Sequence, residues 1–240
     1  MTRRNPRKAP QGLQGHFPLH IPQLPPGSPL QHLKEQGIEI FAHIKSIGNI
    51  SDTAFDKVNV GEAQQKRLKE SSFPVLNSAC GEKMNSAILQ AKNEGDSLGG
   101  VIDCTVEGLP IGLGEPFWDS VESLISHAVF SIPGVRGIEF GDGFKAARMK
   151  GSEHNDPFGP EGLLKNGAGG VNGGLTNGAP LVFRVAFKPT SSIAKPQQTY
   201  NFKSQSMETL CVTGRHDVCF ALRTPVIVEA MTAIVLADLI

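Results

Sequence analysis

Seven of the chain's 17 prolines fall within its first thirty residues: Pro6, Pro10, Pro18, Pro22, Pro25, Pro26 and Pro29. Each fixes φ and removes an amide donor, so this stretch is expected to form neither a helix nor a central strand. No acidic residue precedes Glu35, which leaves the segment basic. It has no apolar core of the secretory kind, and its prolines would break the amphipathic helix of a transit peptide. Residues 1–30 are therefore read as a disordered or non-native proline-rich tail, and 31–240 as the folded domain.

From Gln31 the pattern changes. His32–Gln36 reads as the end of a helix stopped by Gly37. Ile38–Ile47 alternates like a half-buried strand that ends at Gly48-Asn49. Residues 51–95 are polar and compatible with helix, most clearly over Asn85–Asn93, with Gly95 as the stop. Gly99–Val106 is a β-branched strand, and 109–116 a turn-rich connection. Asp119 is placed to cap a helix carrying Val121, Leu124, Ile125, Ala128 and Val129 at helical spacing. Val135–Phe140 reads as a strand before a Gly-Asp-Gly turn, 151–178 as a long loop, and Leu181–Phe187 and Glu208–Val212 as strands. Val226–Ile240, apolar nearly all round, reads as a buried helix. Strands and helices mix without βαβ periodicity, so the expected class is α+β, a sandwich of antiparallel sheets and helices.

Composition narrows function mainly by exclusion. Lys+Arg 23 equals Asp+Glu 23, so nothing in the net charge calls for nucleic acid or an anionic membrane. No run of about 18 apolar residues occurs, so no membrane span is expected. Cys80, Cys104, Cys211 and Cys219 form no CxxC pair or zinc-like spacing, and a reducing cytoplasm is the expected compartment.

Three segments carry residue types suited to chemistry. Residues 169–178 contain five glycines in ten, so the backbone can approach a ligand and its amides can form an anion nest; a flexible surface loop is the competing reading. Lys188, Pro189, Thr190, Ser191, Ser192 and Ile193 follow a strand with a cation and three hydroxyls, a set suited to phosphate or to a turn that satisfies its own backbone. Gly214-Arg215-His216-Asp217 offers an anion fork and a carboxylate, or a surface ion cluster. Arg223 either adds a second cation or snorkels. His43 reads as a core or edge residue and His154-Asn155-Asp156 as a polar turn. Asp238, within the helix at 226–240, is costly unless it is paired or faces solvent near the chain end.

Taken in order, GDSLGG at 95–100, GLGEP at 112–116, SIPGVRGIEFGDGF at 131–144, GGVNGGLTNGAP at 169–180, KPTSSI at 188–193, GRHD at 214–217 and VEAMTAIVLAD at 228–238 resemble chorismate synthase. The resemblance covers roughly Gln31 to Ile240. It implies an FMN-dependent 1,4-anti elimination of phosphate from 5-enolpyruvylshikimate 3-phosphate in a homotetramer, with NADPH as flavin reductant in some members. By motif match, the flavin contacts fall on Pro133, Gly134, Gly173, Lys188, Pro189, Thr190, Ser191, Ser192 and Arg215. Asp217 matches the acid that handles a proton, and no metal is implied.

The departures from the family are equally specific. Its GESHG-, PGHADY- and RSS-type motifs do not occur among these 240 residues, although Gly15-His16-Phe17 resembles the start of a GGGHFSGR-like element. Val218 stands where the family often has Pro, and Pro133-Gly134 where other members have Asn-Ala. The resemblance therefore implies a domain lacking the N-terminal catalytic segments, with 1–30 produced by a frame shift or wrong start. Little or no turnover is expected from this chain alone.

Overall fold

In the computed structural model, which describes residues 27–71, 73–160 and 162–240, the first helix starts on a proline. Helix α1 (Pro29–Glu35) is capped by Ser28, whose hydroxyl accepts from the Gln31 amide at 3.3 Å. Pro29 occupies the first turn, where a missing amide costs no helical hydrogen bond. The tail assigned to 1–30 lies outside the described residues up to residue 26. Its last two residues, Pro29 and Leu30, are helical because the first turn tolerates proline.

Strands β1 (Glu39–Ile47) and β2 (Ile50–Ser51) follow, then helices α2 (Glu62–Glu70) and α3 (Ser78–Asn93), strand β3 (Gly100–Glu107) and helix α4 (Val121–Phe130). Strand β4 (Val135–Phe140) leads through a 3-10 turn at Gly143–Arg148 into the short helix α5 (Gly151–His154). Two small hairpins come next, β5 (Phe158–Gly159) with β6 (Gly162–Leu163) and β7 (Val171–Asn172) with β8 (Leu175–Thr176). The chain closes with β9 (Leu181–Phe187), the hairpin β10 (Gln197–Asn201) and β11 (Ser206–Leu210), a 3-10 turn at Phe220–Arg223, and α6 (Pro225–Leu239). The main sheet has the order β2-β1-β3-β9-β4 and is antiparallel throughout, as the α+β reading requires.

Register sorts this sheet into two unlike faces. Ile44, Ile102, Val185 and Ile138 lie side by side across four strands, and Ala42, Cys104, Phe183 and Phe140 form the next row. A period of two residues points both rows to one side. There they meet Leu33 of α1, Val121, Ile125 and Val129 of α4, and Val228, Ala233 and Leu236 of α6. Each such buried aliphatic side chain contributes roughly 1.5–3 kcal/mol.

The other face carries the charged row His43, Asp103, Arg184 and Glu139. Residues 52–77 cover part of it through a second cluster of Phe41, Phe55 and Val60, with Leu68 and Leu76 against them. Strand β1 is thus buried on both sides over Phe41–Ile44, not half-buried as its alternation implied.

Other departures have local causes. Ser120, not Asp119, caps α4, accepting from the Ser123 amide at 3.1 Å. The loop expected at 151–178 contains α5 and both small hairpins. It is held by Asp156, which accepts from the Gly167 and Ala168 amides, and by Asn166, which bonds Lys57, Gly170 and Pro180. The strand read at 208–212 runs over 206–210. Helix α6 leaves Ile227 and Ile234 exposed, so it is buried along one side only, and Asp238 faces solvent.

Candidate functional site

The Lys188–Ser192 turn begins where β9 leaves the sheet, and three other segments fix its position. The Lys188 amide donates to the Gly134 carbonyl at 2.9 Å, joining the turn to Pro133-Gly134. Ser97 donates its hydroxyl to the Thr190 carbonyl at 2.6 Å. Leu98, next in sequence, donates its amide to the Val218 carbonyl at 2.8 Å, which brings in the segment that holds Arg215 and Asp217. The Gly95–Gly100 segment therefore bonds to the hydroxyl-rich turn and to Val218, the residue that follows the Arg-His-Asp motif.

Two glycines make this approach possible. A Cβ on Gly99 would fall 3.0 Å from the Pro189 nitrogen, so the chain there must be bare. Gly134 has φ of +92°, and a Cβ on it would sit 2.9 Å from Phe220 Cε2 and nearer still to Cζ. Phe220 in turn meets Phe187 edge-on, ring centroids 5.9 Å apart.

The electrostatics at this end are mixed. Lys195 bonds Asp96 at 2.8 Å and holds that carboxyl below the usual carboxylate range, with help from the Ser97 amide. Arg223 Nη2 lies 3.1 Å from Asp217 Oδ1, both side chains about half exposed. Arg215 and His216 are exposed. Burial pushes the Cys219 thiol up to about 11, so it is a packing residue here rather than a nucleophile. Thr190 Oγ1 is buried and makes no hydrogen bond with any described residue. An orphan hydroxyl of this kind is uncommon in a folded chain and calls for a partner.

Gly173 lies elsewhere. It is a central residue of the tight β7–β8 turn, with φ of +60° and open space where a Cβ would point. The carbonyl of the adjacent Gly174 accepts from the Val121 amide at 3.1 Å, so the turn sits at the start of α4, whereas Pro133-Gly134 lies just beyond its end. Ten helical residues separate the two by about 15 Å along the axis. The structure thus brings together Pro133, Gly134, Lys188–Ser192 and the Arg215–Asp217 segment, and sets Gly173 apart from them.

Comparison with known proteins places the chain in a family. The family model for chorismate synthase matches residues 30–240. The chain belongs to the chorismate synthase family. A chorismate synthase of Korarchaeum cryptofilum is 44% identical over 212 residues, covering 86% of this chain and 57% of that protein. One from Lancefieldella parvula is 39% identical over 241 residues, covering 93% and 63%. One from Chitinophaga pinensis reaches 64% identity over 145 residues, 60% of this chain and 44% of its own length. A crystal structure of chorismate synthase superposes with a TM-score of 0.70 at 30% identity, covering 88% of this chain and 59% of the other. The chain therefore spans roughly half to three fifths of the family members it matches. Among the described residues, no helix is long and apolar enough to cross a membrane.

Ser97 is a contributor that the sequence does not single out, whereas Arg223 is already legible as a candidate second cation. That one anchors Thr190 and the other meets Asp217 depends on contacts between distant parts of the chain.

Proposed function

We propose that this chain serves the chorismate synthase reaction, the 1,4-anti elimination of phosphate from 5-enolpyruvylshikimate 3-phosphate in aromatic amino acid biosynthesis, with reduced FMN as cofactor. The observation that carries this reading is the family match over residues 30–240, which spans a Lys188–Ser192 turn whose backbone is fixed from two sides and which holds the Thr190 hydroxyl. That hydroxyl stands in one turn with Lys188, Ser191 and Ser192, and together they offer the charge and donors that a phosphate group requires. The residues present fit the flavin phosphate.

Lys188 and Arg215 supply positive charge, while Thr190, Ser191 and Ser192 donate hydroxyl hydrogens. Pro133-Gly134 fixes the start of that turn through the Gly134 carbonyl, and Gly173 offers bare backbone at the far end of α4. The Asp217 carboxylate, kept in place by Arg223, holds or accepts a proton at the reacting face. Reduced FMN, when bound, supplies an electron-rich ring that assists cleavage of the carbon–oxygen bond. A cytoplasmic homotetramer and NADPH as the source of reducing equivalents belong to the same proposal.

A second reading is that these 240 residues alone bind FMN or phosphate without turnover. The specific observation in its favour is that the family's GESHG-, PGHADY- and RSS-type motifs do not occur in them. Removing a general acid–base group costs roughly 10²–10⁴-fold in rate. Titration with FMN, with and without the phosphorylated substrate, followed by an assay for chorismate with reduced FMN, separates the readings. FMN binding that tightens with substrate supports the first. Binding without turnover supports the second, and no binding overturns both.

A further inference from the structure

The charged row on the partly covered face of the sheet ends in a buried histidine. His43 is fully buried, with Nδ1 3.6 Å from Asp52 Oδ2 and Nε2 3.6 Å from Asp103 Oδ2. Its ring stands edge-on to Phe55, centroids 4.4 Å apart. Neither ring nitrogen makes a hydrogen bond with any described residue, nor do Asp103 Oδ1 and Thr105 Oγ1.

A neutral imidazole here would present one lone pair to a carboxylate and leave two negative charges buried together. An imidazolium presents N–H to both carboxylates and halves the net buried charge. The geometry favours the charged ring.

Asp52 faces two ways. Besides His43 it accepts the amides of Leu76 at 2.5 Å and Asn77 at 3.0 Å, the two residues that lead into α3, and its carbonyl accepts from Lys45 Nζ. Residues 52–77 are thus tied to the sheet at both ends through one carboxylate. We propose that the Asp52–His43–Asp103 cluster is a proton-dependent latch: the charged imidazole seals residues 52–77 against the sheet, and its deprotonation loosens them. Helix α3 starts at this latch and runs about 24 Å to the Gly95–Gly99 segment that bonds the Lys188–Ser192 turn. The latch is inferred from the fold alone and does not depend on the reading of that turn.

Burial opposes charge on His43, but contact with Asp103 and Asp52 outweighs it and raises the imidazole above the ordinary histidine value of 6.5. Burial likewise opposes the Asp52 charge, but His43 and the Leu76 and Thr53 amides hold that carboxyl below 3.8. A raised histidine contributes stability that is full below 6.5 and is lost as pH rises through its folded value. A lowered carboxyl contributes stability present above 3.8 and lost as pH falls through its folded value. The latch is firmest between those limits and weakens towards alkaline pH.

The other charged groups on this face have their own partners. Glu107 accepts from Val60 and Gln65, Lys57 pairs with Asp142, Arg184 pairs with Glu139, Arg67 bonds the Val75 carbonyl, and Asp56 accepts from the Val58 and Asn59 amides. Glu229, on the opposite side of β1, bonds the Ala42 amide and is pushed up to about 7 by burial, so it titrates in the same range and must be controlled.

Hydrogen exchange read by mass spectrometry, corrected for intrinsic rate, tests the latch in the 240-residue chain carrying Glu229→Gln. Protection of residues 52–77 is expected to fall by roughly fivefold or more relative to β3 and β9 between about pH 6 and pH 9, and His43→Gln is expected to abolish that dependence. A flat profile in the parent, or the same fall in His43→Gln, overturns the latch. If His43→Gln does not fold, the ring-nitrogen chemical shifts of His43 in the unsubstituted chain decide. An imidazolium at about pH 6.5 supports the proposal and a neutral ring there overturns it.

Discussion

Gly134→Ala tests the packing that joins the Pro133-Gly134 turn to the candidate site, with Gly173→Ala as its internal control. Both glycines have positive φ, +92° and +60°, so each alanine carries a left-handed backbone penalty of about 1–2 kcal/mol. Their surroundings differ. The new methyl at 173 enters open space, whereas the one at 134 meets the Phe220 ring at 2.9 Å or less. Phe220 cannot swing away without leaving Phe187, against which it is edge-on at 87°. Overpacking of this kind adds roughly 1–3 kcal/mol. Gly134→Ala is therefore expected to lose about 2–5 kcal/mol, against about 1–2 kcal/mol for Gly173→Ala. At about 2–4 °C per kcal/mol for a chain of this length, calorimetry should separate the two melting temperatures by roughly 2–12 °C. Truncating Phe220 to alanine is costly by itself, but in the double variant it should return at least about 1 kcal/mol of the Gly134→Ala loss, because the two sites share one contact. Equal melting temperatures for the two glycine variants, or strict additivity with Phe220→Ala, would refute the argument.

Three further outcomes follow from the same contacts. Ser97→Ala frees the Thr190 carbonyl, so stability should drop by about 0.5–1.5 kcal/mol in urea unfolding while the affinity for FMN falls more than that of Gly173→Ala. Glu229 has a folded-state value raised to about 7, so its contribution is complete below 4.5 and is lost as pH rises through 7; Glu229→Gln should match the parent at acid pH and exceed it in melting temperature above pH 7. Cys104 is fully buried with its thiol raised by desolvation and Cys219 is similarly raised, while Cys211 is exposed; a thiol reagent at neutral pH should modify Cys211 and leave Cys104 and Cys219 intact until denaturant is added.

Period and burial made the main sheet legible. Residues 38–47, 99–106, 135–140 and 181–187 carry enough branched and aromatic side chains to declare strands, and four of the five sheet members came from them. The pairs β5–β6 and β7–β8 could not be read, since two residues have no period; they exist because Asp156 and Asn166 collect the surrounding amides. Ser120 and Asp119 are both good caps. The choice between them was made by Gly174, whose carbonyl takes the Val121 amide and sets where the helix begins. The hairpin of β10 and β11 is exposed along nearly all of its length, Tyr200, Met207 and Leu210 included, so no buried face marks its pairing and only its second strand is legible, two residues late at 208–212.

For the candidate site, motif order nominates residues and says nothing of their distances. Lys188 and Gly134 meet through one backbone hydrogen bond. Gly173 stands a helix length away, a separation set by α4 that no local pattern records. The sequence puts His43 at a core or edge position and the structure buries it, but its partners come from just beyond β2 and from β3, so no short window shows its charged surroundings.

The proposal for the Lys188–Ser192 turn is that it receives a flavin phosphate. Parallel titrations of the chain with FMN and with riboflavin, which lacks that phosphate, address it directly, and Thr190→Val removes the orphan hydroxyl at nearly constant volume. FMN should bind at least about tenfold more tightly than riboflavin, a difference of about 1.4 kcal/mol, and Thr190→Val should narrow that gap. Equal affinities for the two flavins, or a gap indifferent to Thr190→Val, would contradict the account.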